Sequence, residues 1–209
     1  MKRLVFSSEF YYIKAEDLKK LPLKDKALQP PKAKDIPLVL LRKEGNAKLV
    51  DVNGIVAASL DDDFIKVKIA YYTVPAIIGF LLCLIKPLKR HYYHINDAVF
   101  TVRLADILNA GLPRGERNEK NAYQWTNKRW QISKEEAQKR YAELRASMQK
   151  HGYDKKSPMF VMLNRKFGAK DQLFQGHHRI GICKELGISE VSILFWTAPA
   201  TYAWLKKLM

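Results

Sequence analysis

The sequence predicts an α/β (α+β) protein, and three observations carry that expectation. A short apolar run ending at Leu173-Phe174 turns through Gly176 into a segment where Ile180, Cys183 and Leu186 recur at helical spacing before Gly187. Behind a Ser133/Glu136 capping-box pattern, Ala137, Tyr141, Leu144 and Met148 form one apolar stripe that ends before Gly152. From Phe64 to Val74, Lys66 and Lys68 take alternate positions of an otherwise apolar run, the pattern of a strand with one buried face.

Taken in order, the elements begin with a short segment at Tyr11-Tyr12-Ile13-Lys14. Lys20 to Pro37, rich in lysine and proline, reads as an exposed extended connection. Leu38 to Arg42 and Lys48 to Val52 read as strands joined through Glu44-Gly45-Asn46, a hairpin signal. Asp61-Asp62-Asp63 precede the next strand; three successive carboxylates there point in different directions and suit a solvated turn better than a metal. Pro75 fits a helix start, which makes Ala76 to Ile85 a helix apolar on most sides. Val102 to Ala110 reads as a short helix ended by Gly111, followed by a polar loop from Leu112 to Lys120. Tyr123, Trp125 and Trp130 then come among Lys128 and Arg129.

Composition excludes disorder as the default, because 47% of the 209 residues are hydrophobic, ample for a core. Lys and Arg outnumber Asp and Glu by 37 to 21, a formal charge of +16. The partner is therefore expected to be anionic: a nucleic acid, an anionic membrane or a phosphorylated ligand. Cys83 and Cys183 lie in apolar helical contexts without zinc or disulfide-framework spacing and read as reduced core residues. Met1 to Phe6 lead into serines and charge instead of a secretory core, so the expected location is cytoplasmic.

The seventeen uncharged residues from Ile69 to Ile85 fall short of the about 20 that a spanning helix needs. They suit a core or an interface. Ile77, Phe80, Leu81 and Leu84, followed by Lys86, Lys89 and Arg90 with Tyr92 and Tyr93, also have the chemistry to settle at anionic headgroups, which would place the protein peripherally at the inner face of a membrane. A buried helix with a solvated basic turn is the plainer alternative.

The turn Gln175-Gly176-His177-His178-Arg179 is the leading candidate site. A strand that turns through glycine onto a helix N-terminus aims several backbone N–H groups at one place, which attracts phosphate. Arg179 adds a planar charged fork, and His177 and His178 add donors whose charge responds near neutral pH. Basic residues in a first helical turn oppose the helix dipole, so a purely structural helix has little reason to carry them. Arg114 and Arg117, in the loop before the tryptophans, form a second wall suited to clamping phosphate and stacking a base, or to packing as core anchors with cationic rims.

From about Ala142 to Trp196 the chain resembles the ParB/sulfiredoxin superfamily. The matching pieces are the helix Ala142-Glu143-Leu144 through Gly152, the strand entered at Ser157-Pro158-Met159, the Gly176-His177-His178-Arg179 turn, the helix end Lys184-Glu185-Leu186-Gly187 and the strand Val191 to Phe195. The resemblance implies a small mixed sheet with covering helices over 116–209, with 1–115 as an N-terminal α/β extension packed on it. It also implies that Gly176, His177, His178 and Arg179 bind nucleotide phosphates, ATP or another nucleoside triphosphate with Mg²⁺. The departures narrow the choice. His177 stands where sulfiredoxins carry their catalytic cysteine, and thirty residues after Arg179 leave little room for the helix-turn-helix of partition proteins. Gln175 replaces the aspartate that the superfamily's kinases often place before the glycine, and an amide cannot accept a proton at neutral pH.

The resemblance thus implies an ATP-dependent phosphotransferase, a kinase acting on a small or membrane-linked acceptor. Its catalytic base would come from elsewhere, with Glu16 first, because it follows the first strand where such kinases place a glutamate, and Glu116 second. The alternatives are a nucleic-acid-binding protein or ParB-like nuclease whose basic turn holds backbone phosphate, and a membrane-peripheral interaction protein with a degenerate nucleotide fold.

Overall fold

A long first strand organises the chain. In the computed structural model, which describes residues 3–23, 36–41, 47–51, 54–58, 63–73, 94–113, 115–123, 132–165 and 170–197, β1 runs over Arg3–Lys14. The sequence pattern marks its second half alone, since a bulge between Phe6 and Phe10 breaks the two-residue period at Ser7-Ser8-Glu9. Beyond the bulge Tyr11 and Ile13 are fully buried, and their neighbours Phe10, Tyr12 and Lys14 face outward.

The other strands are β2 (Leu38–Leu41), β3 (Lys48–Val50), β4 (Phe64–Thr73), β5 (His94–Arg103), β6 (Met159–Arg165), β7 (Lys170–Gln175) and β8 (Glu190–Thr197). Among the described residues they form one eight-stranded mixed sheet in the order β3-β2-β4-β1-β5-β8-β6-β7. Strands β2 and β4 pair in parallel, as do β6 and β8, and the other neighbours are antiparallel. The antiparallel β2/β3 pair and the strand over 64–73 agree with the sequence pattern. The hairpin turn at Glu44–Asn46 lies outside the described residues. Strands from both sides of the expected boundary at 115 and 116 share this sheet and one continuous core.

Five α-helices and a 3₁₀ turn at Glu119–Asn121 accompany the sheet among the described residues, the α-helices being α1 (Ala15–Lys19), α2 (Ile55–Ala58), α3 (Leu104–Ala110), α4 (Lys134–His151) and α5 (His177–Glu185). Helix α3 begins two residues later than its pattern suggests, because Val102 and Arg103 still pair with β8; Gly111, at φ 102°, ends it as expected. Helix α4 buries Ala137, Tyr141 and Met148. Half of its expected capping box forms: the Ser133 hydroxyl accepts from the Glu136 N–H at 3.1 Å, and the Glu136 carboxylate instead takes Arg140 Nε at 2.7 Å.

The sheet curls so that β1 meets β7, although they stand four places apart in the strand order. Fully buried Asp171 makes that junction. Its carboxylate accepts from the Ser8 N–H (3.1 Å), the Glu9 N–H (3.1 Å), the Tyr11 hydroxyl (2.9 Å) and the Asn164 N–H (2.9 Å), and its own N–H donates to the Ser8 hydroxyl at 2.7 Å. The bulge in β1 turns two successive N–H groups toward this carboxylate instead of toward a strand. Asn164, held at φ 51°, adds a side-chain bond to the Phe6 carbonyl at 2.8 Å. Inside the curl, Tyr11 packs edge-on against Phe195 with centroids 4.9 Å apart.

Candidate functional site

At the far end of β7, Gly176 turns the chain onto α5 with φ 112° and ψ 13°. The position needs glycine twice over: the backbone is left-handed, and an added Cβ would lie 2.7 Å from Met159 Cγ. Helix α5 therefore starts hard against the entry to β6, with the N–H groups of its first turn beyond the reach of helical carbonyls.

Arg179 faces that entry. Its guanidinium donates to the carbonyls of Ser157 and, at 3.3 Å, of Pro158. The same loop is tied by Tyr153, whose hydroxyl lies 3.0 Å from the Ser157 carbonyl and 3.1 Å from that of Ser192. Burial pushes the Tyr153 phenol up to about 12, so it remains a neutral donor. Asp154 closes the turn by accepting from the Ser157 hydroxyl at 2.7 Å and the Lys156 N–H at 2.9 Å, and these bonds hold its carboxyl below the usual range.

Between the C-terminal half of α4, this loop and the start of β6 lies an open groove of ≈ 940 Å³ that reaches the turn at Gln175 and Arg179. Its lining mixes apolar side chains, Leu144, Met148, Pro158 and Phe160, with polar and largely cationic ones, His151, Asp154, Lys155, Lys156 and Arg179. That mixture suits a ligand with a flat apolar part and an anionic part.

The histidines of the turn point elsewhere. His177 is buried, 7% exposed. The His178 ring packs edge-on against Tyr141 with centroids 5.8 Å apart, and its Nε2 lies 3.3 Å from the Ala122 carbonyl; a carbonyl accepts, so that nitrogen carries the proton. Burial holds the His178 imidazole below its ordinary value, the Arg117 charge acts in the same direction, and the bond to Ala122 opposes both. Of the four residues of the Gly-x-x-Arg turn, Arg179 is the one on the groove wall.

Arg117 and Glu116 lie along another side of α5. Arg117 is buried, and its carbonyl oxygen comes so close to Gly181 that an added Cβ there would sit 1.9 Å away, which explains a glycine in mid-helix. Glu116 holds Lys184, in the last turn of α5, at 2.7 and 2.9 Å. Glu16 is exposed on α1, in the turn that follows β1. Neither glutamate lines the groove. Arg114, the 74–93 stretch with Ile77, Phe80, Leu81, Leu84, Lys86, Lys89 and Arg90, and the tryptophans at 125 and 130 lie outside the described residues.

Cys183 is a free, buried thiol pushed up to about 11 by burial, the core cysteine that the pattern suggests. Among the described residues no three His, Cys, Asp or Glu side chains converge on a metal position, and no helix is long and apolar enough to cross a membrane. The groove offers Mg²⁺ one carboxylate, Asp154, whose oxygens are already engaged, so the donor set fits phosphate better than a protein-held metal.

Sequence reasoning passed over His151, Asp154, Lys155 and Lys156. Their signal was the polar run Tyr153-Asp154-Lys155-Lys156-Ser157 between helix and strand, which becomes a wall of the groove once the strand beyond it is entered beside Gly176. It also passed over Asp171, although alternation in Lys170-Asp171-Gln172-Leu173 puts Asp171 on the inward face with Leu173. Comparison with protein-family models, with curated proteins and with solved structures returns no match.

Proposed function

We propose that the chain is a nucleotide-binding protein whose groove seats a nucleoside triphosphate, ATP first, with the phosphates at the N-terminus of α5 beside Arg179. One observation carries the reading: apolar Leu144, Met148 and Phe160 and cationic Lys155, Lys156 and Arg179 line one open groove that reaches the Gly176 turn. The turn also resembles the phosphate-binding turn of the ParB/sulfiredoxin superfamily.

Phosphotransfer to a small or membrane-linked acceptor is the activity this resemblance implies, and it needs a base at the acceptor. Glu116 is committed to Lys184, Glu16 is away from the groove, and the Asp154 carboxyl is held too acidic to take a proton readily. The geometry therefore favours binding over turnover. Calorimetric titration with ATP, ADP, CTP and GTP, with and without Mg²⁺, measures it. Replacing Lys155 and Lys156 together by alanine, both exposed side chains, should weaken nucleotide binding at unchanged melting temperature. Arg179→Ala should weaken it roughly ten- to a hundredfold and also loosen the Ser157–Pro158 loop. Full affinity in both variants would refute the site.

A further inference from the structure

The outward face of β1 and β4 carries a pattern that the groove does not use. Across this antiparallel pair Phe10 stands opposite Lys68, Tyr12 opposite Lys66 and Lys14 opposite Phe64, so each ring faces a cation across the pair. The contacts follow the pattern. Lys68 and Lys66 Nζ lie 4.1 and 4.6 Å from the Phe10 centroid, and the Arg103 guanidinium of β5 stacks 3.3 Å from that of Tyr12. Phe10 is 37% exposed, one of four large apolar side chains that are so among the described residues.

The two ends of this ladder differ in charge. Lys14 is neutralised by Glu190 at 3.0 Å, and Arg103 is anchored by Asp106 at 3.1 Å. Among the described residues Lys66 has no carboxylate partner, and Lys68 donates to the Ser8 carbonyl at 3.0 Å. Asp171 and Glu9 also act on the Lys68 charge, so among the described residues the cation left without a carboxylate beside the open Phe10 ring is Lys66. A chain of net charge +16 adds a long-range field of the same sign.

From this juxtaposition we infer that the Phe10–Tyr12 face of β1 and β4 binds single-stranded nucleic acid. An unstacked base takes the Phe10 ring, a second stacks on the outer plane of the Arg103 guanidinium, and the exposed arm of Lys66 swings from the ring to a flanking phosphate while Lys68, tied to the Ser8 carbonyl, adds its charge from beside the ring. A duplex, whose bases are already stacked, cannot use the rings. This surface is independent of the nucleotide groove.

The test is fluorescence anisotropy of the full chain with labelled oligothymidylate and oligouridylate over a salt series. Binding is expected to weaken linearly in log affinity against log salt, and unlabelled duplex should compete poorly. Phe10→Ala should weaken binding about tenfold or more, the scale of a lost base–aromatic stack. Lys66→Glu, at an exposed side chain that leaves the core untouched, should weaken it as much and flatten the salt slope, with melting temperature and nucleotide affinity unchanged. Arg179→Ala should leave oligonucleotide binding intact. The inference is overturned if oligonucleotide does not bind, if Phe10→Ala and Lys66→Glu bind it as the natural chain does, if duplex competes equally, or if the two variants lose binding to phosphatidylserine vesicles while keeping the oligonucleotide.

Discussion

The two ends of β7 meet polar chemistry in opposite ways. At its start, Asp171 is sealed in the interior with four donors on its carboxylate, drawn from residues 8, 9, 11 and 164. At its end, Gly176 opens a helix N-terminus beside a groove with Arg179 on the wall. A carboxylate that has lost its water is tolerable when its lone pairs are filled, and filling them ties distant strands together. A helix N-terminus has first-turn amides that its own carbonyls cannot reach, which suits an anionic ligand. One end commits its hydrogen bonds to closure of the fold, and the other lies beside a groove that a ligand can enter.

The largest expected effect breaks the first half of that contrast. Asp171→Ala strands the N–H groups of Ser8, Glu9 and Asn164 and the Tyr11 hydroxyl inside the protein and should cost roughly 4 kcal/mol or more, read by chemical denaturation. A loss below about 1 kcal/mol would mean that Asp171 does not close the curl. Gly176→Ala comes next. The left-handed backbone and the Met159 contact set a cost of about 1–3 kcal/mol, and nucleotide affinity should fall further than stability does. Equal losses of both would make the turn structural, like the other end.

The smallest effect sharpens the line between groove and interior. His178 has its folded-state value depressed by burial, so below the ordinary value of 6.5 the unfolded chain takes up protons more readily than the folded one. Its contribution to stability is complete above that value and is lost as pH falls through the depressed one. Melting temperature should decline on acidification over that window, and His178→Gln, which keeps a donor for the Ala122 carbonyl, should flatten the decline. An unchanged slope in the variant would place the titrating group elsewhere.

Much of the framework was legible because it depends on neighbours in sequence. The strand over 64–73, the amphipathic helix closed by Gly152 and the β7–Gly176–α5 turn each follow from spacing and glycine alone. The first half of β1 was hidden because its bulge interrupts the period. The directions taken by the side chains of the turn were hidden for a related reason. His177 and His178 read as phosphate donors by adjacency to Arg179, yet a helix turns about 100° per residue, and consecutive side chains leave it in different directions. Arg179 reaches the groove; His178 reaches Tyr141 and Ala122.

What the sequence by itself determined is local: which segments pair or coil, where glycine must stand, and that the chain is basic enough to seek anions. Tertiary structure alone decided that Asp171 is a closure and not a surface charge, that Glu116 serves Lys184, and that Phe10, Tyr12, Lys66 and Lys68 share one face. The physical reason is separation along the chain. The Asp171 bonds to β1 span 160 residues or more and the rungs of the ring–cation ladder join positions 50 or more apart, so a side chain's partners, and with them its charge state and its task, exist only once the sheet has curled.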